Sequence, residues 1–120
     1  MKVIEEDYII IDMADKDLKR IGKLKKRIIK LKDSSESIQE LECYKEELKN
    51  IIITLNKLQS KDQNIIALKY FEKLNSRKIS EKMNLSGVKI KKYLNTALLW
   101  YGQFRFDCRA ESIYELTGCL

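Results

Sequence analysis

Nine residues within the eleven positions from 86 to 96, Ser86, Gly87, Val88, Lys89, Lys91, Lys92, Tyr93, Asn95 and Thr96, are either short or carry hydrogen-bond donors. Their chemistry is recognition. A lysine ammonium donates to guanine O6/N7 in the major groove, and an asparagine carboxamide bonds adenine bidentately. Just upstream, Arg77 and Lys78 add two cations suited to phosphate oxygens. Catalysis has no comparable constellation. The chain has no histidine, so a histidine base is excluded and a zinc site would need an unusual ligand set. There is no glycine-rich phosphate loop, and most of the acids fall on solvated helix faces. The expectation is a non-enzyme with no cofactor and no metal.

Two short helices joined by a tight turn must hold these residues, over Ser76 to Leu98. Ile79 and Met83 give the first an apolar stripe, Asn75 or Ser76 caps its start, and Ser80 is small where the helices touch. The pattern breaks at Asn84-Leu85-Ser86. Ser86 is placed to cap the second helix, which starts at Gly87. At about 100° per residue, Ile90, Leu94, Ala97 and Tyr101 share its inner side. Val88, Lys89, Lys92, Asn95 and Thr96 face outward, with Lys91 on the flank. A helical hairpin with exposed lysines is often only soluble. Turn, cap and spacing together point further, to a helix-turn-helix that contacts duplex DNA.

At these residues the chain resembles region four of bacterial sigma factors and the sigma-like helix-turn-helix of small phage-encoded regulators. The resemblance runs from about Leu58 to Leu98. Ile65, Ile66, Leu68, Tyr70 and Phe71 match the apolar helix with its terminal aromatic pair. Ile79-Ser80 stands in the place of the usual Ile-Ala, Leu85-Ser86 in that of the turn, and Ile90-Lys91 in that of Val-Lys. The resemblance implies base contact at Gly87, Val88, Lys89, Lys92 and Tyr93, and phosphate contact at Lys91. Gly87 and Val88 replace larger polar residues, which implies modest specificity.

The 120 residues suit a single domain. Proline is absent and glycine occurs four times, favouring long helices and an all-α fold. The net charge of +6 is uneven. Residues 16–32 hold nine bases and one acid, and residues 61–100 nine bases and three acids, whereas residues 1–15 hold one base and five acids. Two basic blocks are the footprint of a polyanion partner. Three unpaired-looking cysteines fit reduced thiols in a cytoplasm, and no secretion signal or membrane span is visible.

Along the chain, residues 1–59 read as an N-terminal segment and a helical hairpin, 60–101 as the helix-turn-helix unit and 102–120 as a C-terminal extension. Tyr8-Ile9-Ile10-Ile11 and the alternating run Gln103–Arg109 are β-prone enough to pair as a small terminal ribbon. The first segment reads equally as the opening turn of helix one. Asp12 or Asp15 caps a helix to about Lys32, and Ser37 with Glu40 makes a capping box for a second helix to about Gln59. Leu41, Tyr44, Leu48, Ile51, Leu55 and Leu58 form a heptad seam, coiled-coil-like, predicting an antiparallel hairpin flanked by lysine–glutamate pairs. Ile52 and Ile53 need a further cover: the third helix, or a second hairpin in a homodimer. Ser60 and Gln63 form another capping pair for a third helix ending near Lys73, and Gly102 is expected to end the last helix. For Trp100, core packing outweighs base stacking, because bases around it are sparse.

The expectation is a cytoplasmic transcription regulator, phage- or prophage-encoded by its resemblance, that binds duplex DNA and touches RNA polymerase through the hairpin. It lacks room for the promoter-melting region, so it is not a complete sigma factor. The alternative is a small basic interaction protein that inhibits RNA polymerase or a nuclease. A structural adaptor built on the heptad seam stands third.

Overall fold

The computed structural model describes residues 5–32 and 38–106, which are helical over most of their length. Helix α1 spans Asp7–Lys19, α2 Ile21–Lys32, α3 Ile38–Asn56, α4 Ser60–Ile66, α5 Ser76–Met83 and α6 Gly87–Phe106, with a π-helical segment Ala67–Phe71 continuing α4. Ser37 of the expected capping box, and residues 107–109 of the ribbon, lie outside the described residues.

No strand occurs among the described residues, which corrects the ribbon: Tyr8–Ile11 lie in α1 and Gln103–Phe106 in α6. Tertiary packing overrides the β-propensity here. Ile11, Ala14 and Leu18, spaced by three and four, are buried in the core. Phe104, read as one step of a strand, stacks on Trp100 four residues back, with ring centroids 5.7 Å apart. Trp100 itself is 37% exposed, on the outside of α6 and not in the core.

The first long helix also differs from expectation. It begins at Asp7, so Asp12 and Asp15 are interior residues that pair with Lys16 and Lys19, one turn on, each at 2.9 Å. It then breaks at Arg20, because the chain changes partner there: α1 packs on α6, and α2 packs on α3. Ile21, Leu24 and Ile28 supply the buried stripe of α2. The hairpin of α2 and α3 runs antiparallel as expected. Arg20 pairs with Glu47, while Arg27, farther along α2, donates to the Tyr44 hydroxyl at 3.1 Å, which donates to Glu40 at 3.0 Å. Glu42 lies 3.9 Å from its own neighbour Lys45, so the expected ladder of α2 lysines onto α3 glutamates is thin. Ile51 and Leu58 are buried along the seam, but Ile52 and Ile53 stay 48% and 43% exposed. Helix α4, expected as their cover, leaves both partly in water.

Ser60 does not cap α4. It is the first residue of that helix, and the Gln63 amide donates to the carbonyls of Leu55 and Leu58, both at 3.0 Å. Gln63 thus satisfies acceptors left open where α3 ends. The π-helical segment closes with the Glu72 N–H on the Ala67 carbonyl, and Lys73 turns the chain at φ 55°. The helix therefore stops at Phe71 rather than Lys73.

Gly102 does not end the last helix. It lies inside α6, where a Cβ would sit 2.4 Å from Ile10 Cγ2 and 3.2 Å from the Ile10 carbonyl oxygen. Its missing side chain lets α1 cross α6 closely. Beside that crossing, Asp17 is buried at 5% exposure and accepts the Tyr101 hydroxyl at 2.6 Å and Arg105 Nε at 3.1 Å.

Candidate nucleic-acid interface

Asn75 opens α5, its side chain accepting from the Lys78 N–H at 2.9 Å. Asn84 ends it in the left-handed region at φ 54°, ψ 46°, a conformation asparagine tolerates better than most residues. The Ser80 hydroxyl donates to the Leu85 carbonyl, clamping the turn. Ser86 Oγ then accepts from the Lys89 N–H at 3.3 Å, and the Ile90 N–H donates to the Ser86 carbonyl at 2.9 Å, starting α6. Each polar residue expected at these boundaries has a partner that explains its type. From the π-helical end, Glu72 reaches Lys82 at 3.2 Å and ties α5 down.

Ile90, Ala97 and Tyr101 are buried at 2%, 0% and 0% exposure, with Leu94 packed beside them. This inner stripe fixes the rotation of α6, and Val88, Lys89 and Lys92 consequently point to solvent. Val88 is 76% exposed, a large exposure for a branched apolar residue. Among the described residues, Lys78, Lys89, Lys91 and Lys92 have no carboxylate within 4.0 Å, whereas Arg77 pairs with Glu81 at 3.6 Å. Three ammonium groups therefore remain uncompensated in the first turns of α6, and a fourth, Lys78, on α5.

Not all the expected residues share that face. Tyr93 is half-buried on the α4 side, with the Lys61 ammonium 3.4 Å from its ring centroid, a cation–π contact that occupies the ring. Asn95 and Thr96 are half-exposed. Gly87, Lys91 and Asn95 line an open cleft of about 500 Å³ whose other wall includes Tyr8, Asp12 and Asp15 of α1. Sequence reasoning gave α1 no place beside the site. The only signal was the acidic excess of residues 1–15, which lacked an address until α1 was seen to cross α6.

Two of the groups under this surface have displaced ionisation. Burial pushes the Asp15 carboxyl up, but hydrogen bonds from Lys19 and Tyr70, with the charge of Lys69, outweigh it and hold Asp15 below its ordinary range. Burial and the bond to Asp15 push the Tyr70 phenol well above its usual value. The phenol is thus a fixed donor. Among the described residues no group of acids and cysteines could hold a metal ion, and no helix is long and apolar enough to cross a membrane.

Set beside protein-family models, curated proteins and solved structures, the chain matches none. Its own residues must carry the functional argument.

Proposed function

We propose that this chain is a DNA-binding transcriptional regulator that reads duplex DNA with the first turns of α6, in the manner of a sigma region-four-like helix-turn-helix. One observation carries the reading: a helix held by a buried stripe presents Val88, Lys89 and Lys92 to solvent with no carboxylate beside the lysines. A solvated structural helix has no need to leave three cations, Lys89, Lys91 and Lys92, unpaired in its first two turns. Lys78 and Lys91 position the protein on phosphates, and Lys89, Lys92 and Val88 meet base edges, Val88 suiting a thymine methyl. Lys91 and Asn95 stand beside the α1 acids, so the Val88 face carries most of the base contact. With few polar side chains reaching in, discrimination between sites is modest.

The test is fluorescence anisotropy on a labelled random-sequence duplex, titrated with salt. Lys78 and Lys91, each neutralising one phosphate, give a log–log slope of roughly −2. Lys89→Glu/Lys92→Glu weakens binding by more than tenfold. Binding that is unchanged in this variant, or flat with salt, refutes the groove-reading model.

A second reading, an inhibitor that binds RNA polymerase or another nucleic-acid enzyme, is favoured by the exposed Ile52, Ile53, Trp100 and Phe104. Apolar side chains left wet in this way mark protein contacts when they cluster. Ile53, Trp100 and Phe104 line one shallow depression. In that case Ile53→Lys/Trp100→Ala abolishes partner binding and Lys89→Glu/Lys92→Glu does not. The same face would serve a homodimer, which sedimentation of the two variants distinguishes.

A further inference from the structure

A second basic surface lies where α2 passes the π-helical segment. Lys19 and Lys25 on one wall face Lys69 and Lys73 on the other across an open groove of about 530 Å³, and no carboxylate lines it. Of the four, only Lys19 is paired, with Asp15; the others have no carboxylate within 4.0 Å among the described residues. Asp15 is already engaged by Lys19 and the Tyr70 hydroxyl, so it does not cancel the remaining charge. At the rim Phe71 is 48% exposed, and at Gly22 a Cβ would meet nothing within 4 Å. The walls also carry marks of functional backbone: a π-helical turn, and Lys73 at φ 55°. Beyond the groove, α2 carries Lys32 two turns on from Lys25 and on the same side, with Lys26 and Lys30 on the neighbouring outer face, all three exposed.

A run of cations with an aromatic ring interleaved is what an unpaired strand requires: ammonium groups along the backbone and a π-face for a base. Trp100 lacks such lysines. Lys69-Tyr70-Phe71-Glu72-Lys73 supplies them.

We propose that this groove binds single-stranded nucleic acid, with backbone phosphates on Lys19, Lys25, Lys69 and Lys73, one base stacked on Phe71, and the strand running on along α2. The groove adjoins the α6 cleft, with Lys69 and Tyr70 lining both, but it uses neither Lys89 nor Lys92 and does not require α6 to read duplex DNA. A strand, rather than a mononucleotide, follows from the lysines continuing past the groove.

The experiment is anisotropy of the full chain on a fluorescent oligo-dT of roughly ten nucleotides, with salt titration. Lys25→Ser/Lys73→Asn, asparagine being tolerated at the left-handed position, lowers affinity more than tenfold and reduces the salt slope by about 1.4, at roughly 0.7 per phosphate. Phe71→Ala loses roughly five- to hundredfold, as expected for one stacked base, and Phe71→Trp restores binding. Lys89→Glu/Lys92→Glu leaves oligo-dT binding within about twofold while its duplex binding falls. The proposal is overturned if oligo-dT does not saturate at about 150 mM salt, or if Phe71→Ala has no effect. It is also overturned if the α6 variant loses the strand as the groove variant does. Competition by dTMP or poly-glutamate at equal charge concentration as strong as that of oligo-dT would replace the strand by a mononucleotide or an acidic protein.

Discussion

Replacing Gly102 by alanine sets two effects of opposite sign against each other. In a helix interior alanine is favoured over glycine by about 1 kcal/mol, so on propensity alone Gly102→Ala stabilises. The crossing with α1 opposes it. The new Cβ would lie 2.4 Å from Ile10 Cγ2, where ordinary contact begins at 3.4 Å, and 3.2 Å from the Ile10 carbonyl oxygen. Cγ2 cannot swing away freely, since a β-branched side chain in a helix has one strongly preferred rotamer. The helices must therefore part by up to about 1 Å, an overpacking that costs roughly 1–3 kcal/mol. The clash outweighs the gain, and the net loss is up to about 2 kcal/mol. At roughly 3–6 °C per kcal/mol, between the figures for smaller and larger domains, the thermal midpoint followed by circular dichroism falls by up to roughly 12 °C. The Ile10→Ala background removes Cγ2, and there Gly102→Ala ranges from neutral to a gain of about 1 kcal/mol. A rise in midpoint in the natural background, or an equal loss whichever residue occupies position 10, would refute the close-crossing argument.

Asp17→Ala strands both the Tyr101 hydroxyl and Arg105, and costs roughly 2–4 kcal/mol in urea unfolding, against about 1 kcal/mol for Tyr101→Phe; equal costs would mean the carboxylate contributes nothing beyond that one bond. The pH profile of stability has two limbs. Asp15 is held below its ordinary pKa, so its contribution is present above about pH 4 and is lost as pH falls through the folded value; Asp15→Asn flattens that acid limb. For the Tyr70 and Tyr101 phenols, raised by burial and by Asp15 and Asp17 respectively, the contribution is intact below about pH 10 and is lost as pH rises beyond it. Tyr70→Phe/Tyr101→Phe removes this alkaline limb, and a limb that persists would assign it to other groups.

The unit from Asn75 to Tyr101 was legible because its signals are local. Asn75 and Ser86 act on N–H groups three residues ahead, and Ile90, Leu94, Ala97 and Tyr101 repeat within one helix. What escaped the sequence depends on partners far along the chain. Asp17 looks like a lone acid in a basic run, yet it serves Tyr101 and Arg105, 84 and 88 residues away. Tyr8-Ile9-Ile10-Ile11 has the composition of a strand, and only the α6 surface beneath it selects a helix. Gly102 reads as a terminator until the crossing with Ile10 is known, and no proline or glycine marks the break at Arg20, which exists because α1 and α2 have different partners. The basic surplus of residues 16–32 was visible as charge, but its meeting with Lys69 and Lys73 was not.

Helix α6 is one uninterrupted element of 20 residues, with its outer face in water near Gly87 and almost all of its girth in the core near Gly102. Such a rod behaves as a lever whose fulcrum is the α1 crossing. From Gly102 to Gly87 is roughly 22 Å at 1.5 Å per residue, so a tilt of only 5° at the fulcrum would carry the exposed tip roughly 2 Å sideways, a large fraction of a hydrogen-bond length. Any change in how α1 seats on α6 is thereby magnified at Val88 and Lys89, and substitutions that never touch a ligand can retune what that tip reaches.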